Sequence, residues 1–180
     1  MAARVGAKTY PITLGDGRTT EDLVAAADYG YCHSQVISLN FPVRSFVEKP
    51  EREIVLLNFD HPVSAEEATT EAAKLGLDRP YYEDALYFGI EYPDVQLDGP
   101  VGFLHDLWLG NHGRLDASCL WANAGRRELG LEGFDDLWAP NYRLAFVRRG
   151  AADPNRHPDT TGRPPTLLDA NFGHAYNSPV

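Results

Sequence analysis

The second half of the chain reads as several short strands joined by Gly, Asn and Asp turns, and one stretch of it alternates apolar and polar positions with a period of two. In Glu128-Leu-Gly-Leu-Glu132 every second position is apolar, which turns Leu129 and Leu131 toward a core and Glu128, Gly130 and Glu132 toward water. Residues 117–121, 127–131 and 142–148 read as three strands. Val101-Gly-Phe-Leu104 and Leu107-Trp-Leu109 flank His105 and Asp106 upstream of them, and Asn111-His-Gly113 marks a turn. The clearest strand is Glu53-Ile-Val-Leu-Leu-Asn-Phe59, whose near-continuous apolar run is that of a central strand buried on both faces. A shorter strand covers residues 9–14, with Pro11 favouring a sheet edge. Residues 36–43 are expected to be extended.

Helical signals lie between these strands. Thr19-Thr-Glu-Asp22 has the outline of a capping box and opens a short helix over residues 21–27. Ser64-Ala-Glu-Glu67 opens a second helix that stops at Leu75-Gly76, with the glycine as C-terminal cap. Asp78 is expected to cap a third helix over residues 79–91, with Pro80 in its first turn. Its apolar face would be Tyr82, Ala85, Leu86, Gly89 and Ile90. The pattern is that of an α+β domain over residues 53–149. A strand–helix extension precedes it (1–52), and a proline-rich arm, 150–180, follows. That arm is either packed on the domain or exchanged within a homo-oligomer.

Composition narrows the function classes. At 180 residues, 43% hydrophobic and 23% charged, the chain has enough apolar residues for a core without metals or disulfides. A formal charge of −10 argues against nucleic acid and against anionic membrane surfaces, both of which need clustered Lys and Arg. No apolar run has the length of a membrane span or a secretory segment, so a cytoplasmic location is expected. Cys32 and Cys119 sit far apart in apolar or aromatic settings and read as reduced thiols.

His105, Asp106, His112, Asp116 and Cys119 form the densest group of metal-ligating types, with His105, His112 and Cys119 as the residues to test for a metal-dependent hydrolase. Their spacing matches no zinc motif, and turn and surface roles account for them, so no metal and no cofactor is assigned. Ser118 or Cys119 with a His and an Asp would supply a nucleophile triad, but no Gly-x-Ser-x-Gly elbow occurs. Trp108 and Trp138 are expected in the core. Trp121 fits either a core position or a binding anchor.

The order of one strand, two helices and a run of tryptophan-bearing strands resembles the C-type lectin-like fold. Short matches to an uncharacterised bacterial family add to this. They are Gly17-Arg-Thr-Thr-Glu-Asp-Leu-Val-Ala-Ala-Ala-Asp-Tyr-Gly-Tyr31, Asn40-Phe-Pro-Val43, Leu86-Tyr-Phe-Gly89, Tyr92-Pro-Asp94, Leu107-Trp108, Gly125-Arg-Arg127, Phe134-Asp-Asp-Leu-Trp138 and Arg143-Leu-Ala-Phe-Val-Arg148. Members of that family resemble the variable proteins of diversity-generating retroelements, which display changeable binding residues on a C-type lectin-like scaffold. The resemblance implies a display set of Trp121, Asn123, Arg126, Glu128, Glu132, Asp136 and Asn141. The calcium-dependent sugar site of true lectins is not matched, because Glu-Pro-Asn is absent and Trp138-Ala-Pro-Asn141 replaces Trp-Asn-Asp. The expected function is therefore non-catalytic recognition of a protein or other ligand through residues 121–141. The alternatives are a hydrolase using residues 105–119 and a structural subunit joined through residues 150–180.

Overall fold

The computed structural model describes residues 4–46, 48–110 and 113–149. They form, in chain order, β1 (Arg4–Thr13), α1 (Thr20–Ala27), β2 (Tyr31–Cys32), β3 (Glu51–Asn58), α2 (Ala65–Lys74), β4 (Leu77–Asp78), α3 (Tyr82–Glu91), a 3-10 turn (Val95–Asp98), β5 (Val101–Leu109), β6 (Leu115–Asn123), β7 (Arg126–Gly133) and β8 (Arg143–Arg148). The fold is α+β. The strands make one mixed sheet in the order β1-β3-β8-β5-β6-β7-β2, with β4 also pairing β8. The resemblance to the C-type lectin-like fold implies irregular antiparallel sheets. The strands are instead joined in one sheet because β5 runs parallel to β8, Gly102 opposite Leu144. The arm at 150–180 lies outside the described residues.

The central strands β3, β8 and β5 bury both faces. Ile54 and Leu56 of β3, Ala145 and Val147 of β8, Val101 and Phe103 of β5, Leu120 of β6 and Leu129 of β7 point to one side, where they meet Leu23, Ala85, Leu86 and Phe88 of α1 and α3. Val55, Leu57, Leu104, Ala117, Leu144 and Phe146 point to the other, under Ala65, Ala68 and Ala72 of α2 and under Trp138. The apolar run at 53–59 is thus a two-sided central strand, as its pattern requires. The N-terminal elements belong to the same sheet and core: β1 pairs with β3, and Tyr10, Ile12 and Leu14 pack with α3.

Three local expectations change. Residues 36–43 are not extended; they turn, with the Val36 N–H donating to His33 O (2.9 Å) and the Phe41 N–H to Ile37 O (2.9 Å), so that Val36 and Phe41 plug the core. The third helix starts at Tyr82 rather than near Asp78. Asp78 is taken by β4, where it pairs with Val147, and Pro80 restrains the residue before it from helical backbone. The cap is supplied by Asp84, whose Oδ2 accepts the Tyr81 N–H at 2.7 Å. Finally, α3 is buried on nearly every side, not along one stripe, because Glu83 and Asp84 are buried as well. Asp84 receives both Nε and Nη2 of Arg52 (2.7 and 2.8 Å), Glu83 receives the Arg44 N–H (2.9 Å), and both guanidiniums lie on the Tyr81 ring at 3.8 and 4.0 Å. Two buried carboxylates would each be costly alone; hydrogen-bonded in this way they fix the start of the helix.

Trp138 closes the α2 side. It is 3% exposed, bridges to Val63 with hydrogen bonds of 2.9 and 3.0 Å, and sets its benzo edge over the backbone of Gly102. A Cβ at position 102 would stand 2.5 Å from Trp138 Cζ3 and 2.9 Å from Leu144 Cδ2. A buried indole cannot give by that distance, so Gly102→Ala is expected to destabilise the protein by about 1–3 kcal/mol in urea unfolding. The hairpin between β6 and β7 carries the opposite kind of strain. Ala124 (φ 49°) and Gly125 (φ 79°) form its two-residue turn, with alanine in the left-handed region. Ala124→Gly is expected to raise stability by about 1 kcal/mol in the same assay.

Candidate functional site

The two faces of the sheet are covered unequally. On the α1/α3 side, the β6–β7 hairpin is pinned at its base. Arg127 Nη1 donates to Ala27 O at 2.6 Å, Nη2 to Gly89 O, and the guanidinium lies over the Tyr29 ring at 5.0 Å. On the other side, α2 and residues 134–142 cover β3, β8, β5 and the Ala117 and Cys119 positions of β6, but leave Trp121 at the hairpin end and Tyr31 of β2 exposed. Among the described residues, no helix or loop covers that end of the face, and Glu128 there is partly buried. Tyr31, Glu128 and Trp121 stand in one row across β2, β7 and β6, because Tyr31 pairs with Glu128 and Glu128 with Trp121. Tyr31 is 49% and Trp121 38% exposed. The Trp121 indole lies along Gly130, with Nε1 3.5 Å from where a Cβ there would be.

The backbone under this row is held from below. Gln96, buried in the 3-10 turn, donates through Nε2 to Trp121 O and to Glu128 O (3.1 Å). The edge strand β2 is tied in parallel by Gly30 N–H to Arg127 O and His33 N–H to Leu129 O, both 2.8 Å. Next to the row, a small cleft of about 70 Å³ is lined by Glu132, Asp136, Leu137, Trp138 and Tyr142. Burial pushes the Glu132 carboxyl above its usual range and the Tyr142 hydroxyl up to about 12.

The residues expected to form one display set are divided by this geometry. Trp121, Asn123 and Glu128 lie on the bare face, Asn123 opposite Arg126 at its tip. Arg126 is exposed, yet its Nη2 donates to Gly30 O at 2.8 Å. Glu132 is half-buried in the cleft. Asp136 is exposed and pairs with Arg114 at 3.3 Å, and Asn141 is exposed on the segment leading to β8. Tyr31, Gly130, Gln96 and Leu137 were not legible as site residues. Tyr31-Cys32-His33 alternates as a strand does, but three residues carry no usable period, and its partner is 97 positions away in the register.

The chemistry candidates are separated. His105 and Cys119 lie on opposite faces of the sheet, since Ser118 meets His105 and Cys119 points the other way; His112 lies outside the described residues. Among the described residues no group of three or more His, Cys, Asp or Glu is placed to hold a metal ion. Ser118 Oγ is 3.0 Å from His105 Nε2, but Nε2 also accepts the Ser118 N–H (2.9 Å) and Nδ1 donates to the Asp106 carbonyl (2.7 Å) rather than to a carboxylate. With Ser118 at 4% and His105 at 1% exposure, this pair holds the irregular stretch of β5 between Phe103 and Trp108 in register. Burial pushes the Cys119 thiol far up and the Cys32 thiol up to about 11, away from the reactive thiolate. A cleft of about 460 Å³ lies elsewhere, between β1 and α3. Its central carboxylate, Asp16, is consumed by Tyr87 Oη and Arg18 Nε, both at 2.7 Å.

Among the described residues, no helix is long and apolar enough to cross a membrane. In comparisons with protein-family models, with curated proteins and with solved structures, nothing matches the chain.

Burial holds His105 neutral and lowers its pKa from 6.5 to about 4. Its contribution to stability is therefore complete above pH 6.5 and is lost as pH falls through about 4. Unfolding measured across that window is expected to show the wild type losing up to about 1.4 kcal/mol per pH unit more than His105→Gln.

Proposed function

We propose that the protein is a recognition module and that the bare β2–β7–β6 face, centred on Tyr31, Glu128 and Trp121, is where it binds. The observation that carries this reading is the pair of half-exposed aromatic rings on a backbone fixed from beneath by Gln96 and Arg127. Exposed aromatics on a rigid support are the usual anchors of protein interfaces, because they bury much apolar area while losing little conformational freedom. Side chains on such a strand face can change without disturbing the core, which is the logic of a display scaffold.

The finer reading is a C-type lectin-like core that serves as the scaffold of a retroelement variable protein. It is supported by the order strand, two helices, three-stranded meander and closing strand, and by the first and last of these, β3 and β8, lying side by side antiparallel. On this reading Trp121, Asn123 and Glu128 are display positions, Tyr31 joins them from outside the expected segment, and Arg126 works mainly in holding β2. The partner is a protein or peptide.

A peptide-display selection against the full chain tests the reading. Selected binders are expected to lose at least about tenfold in affinity for the Tyr31→Ala/Trp121→Ala double variant, since anchors of this type are each worth about 2 kcal/mol or more. Circular dichroism should show the variant folded. Binders that ignore the double substitution would contradict the assignment of the face.

A further inference from the structure

We infer that this face takes a cationic side chain, arginine or lysine, of a basic protein partner, seated over Glu128 between the rings of Tyr31 and Trp121. The inference rests on the recognition reading above and specifies what is recognised. Adjacent strands are about 4.8 Å apart, so the two aromatic residues flank the carboxylate at one strand spacing on either side. A cation held by the carboxylate would stand between these two residues, and an aromatic face attracts positive charge within about 6 Å of its centre.

Glu128 is available for that role. Among the described residues, no hydrogen bond or ion pair engages its carboxylate; its backbone is paired with Trp121 and Tyr31, and its carbonyl accepts from Gln96. The neighbouring cation, Arg126, is turned toward Gly30 O instead. Of the other acidic side chains near the hairpin, Asp116 and Asp136 share Arg114 at 3.3 Å each. The chain carries 26 acidic against 16 basic residues, so a basic partner is also favoured in the approach. An anionic or purely apolar occupant would leave Glu128 either repelled or stripped of water without a partner, which costs binding energy.

The test is a solution NMR titration of the full isotope-labelled chain with three blocked peptides, triarginine, triglutamine and triglutamate, at constant ionic strength. Triarginine is expected to shift the Trp121 indole N–H and the Gly130 amide, and the other two peptides are not. Glu128→Gln is expected to weaken the triarginine response about three- to tenfold, the range for one exposed cation site, while Asp135→Asn on the neighbouring loop leaves it unchanged. Equal responses to triglutamine or triglutamate would overturn the cation assignment and leave the recognition reading standing. So would a triarginine response insensitive to Glu128→Gln, which would mark diffuse attraction to an acidic chain. Silence of these signals with all three peptides also overturns it. The recognition reading itself falls only if display-selected binders fail to need Tyr31 and Trp121.

Discussion

The insertion of β8 between β3 and β5 is the constraint on which the remaining structure depends. Its residues pair antiparallel with β3 from Ile54–Val147 to Asn58–Arg143 and parallel with β5 from Val101–Arg143 to Phe103–Ala145. Leu144, Ala145, Phe146 and Val147 are buried on alternating sides. Without this strand, β1 and β3 would form one small sheet and the β5–β6–β7 meander another, each with an open edge and half a core. With it, one sheet has two apolar faces, and α1, α3 and α2 each have somewhere to pack.

The same arrangement explains why one part of the sheet stays bare. The short α2 lies over the central strands, and residues 134–142 extend the cover over Gly102 and to Glu132 in the small cleft, while Trp121 stays exposed. Cover on the opposite side reaches further, because α1 and α3 pack together and Arg127 ties the hairpin to both. Among the described residues, the β6–β7–β2 end is therefore held from behind and uncovered in front. Aromatic side chains at Tyr31 and Trp121 gain nothing for the core there. Their exposure is the feature that folding leaves unexplained and that binding would explain.

Much of this was legible in the sequence, for physical reasons that differ by element. The two-sided run of β3, the alternation through Leu129 and Leu131, and the capping signals at Thr19 and Ser64 are local, and the structure bears them out; in α1 the Asp22 carboxylate accepts the Thr19 N–H at 3.0 Å. The start of α3 was misplaced because Asp78 is a good helix cap by type but is claimed by pairing with β8, which no local pattern reports. The site was only half legible. Trp121, Asn123 and Glu128 share a strand pair and a face, whereas Tyr31 joins through a two-residue parallel strand whose register is set by distant backbone hydrogen bonds. Arg126 and Arg127 look alike in sequence. Their separation into an edge clamp and a buried clamp follows only from the pleat of β7.

Hydroxyl-radical footprinting of the full chain in solution tests the openness of this face most directly. The expected result is strong oxidation of Tyr31 and Trp121 with Trp138 and Phe103 protected, in line with the exposure of the first two and the burial of the second two. Protection of Tyr31 and Trp121 equal to that of Trp138 would contradict it, because the face proposed for binding would then already be covered.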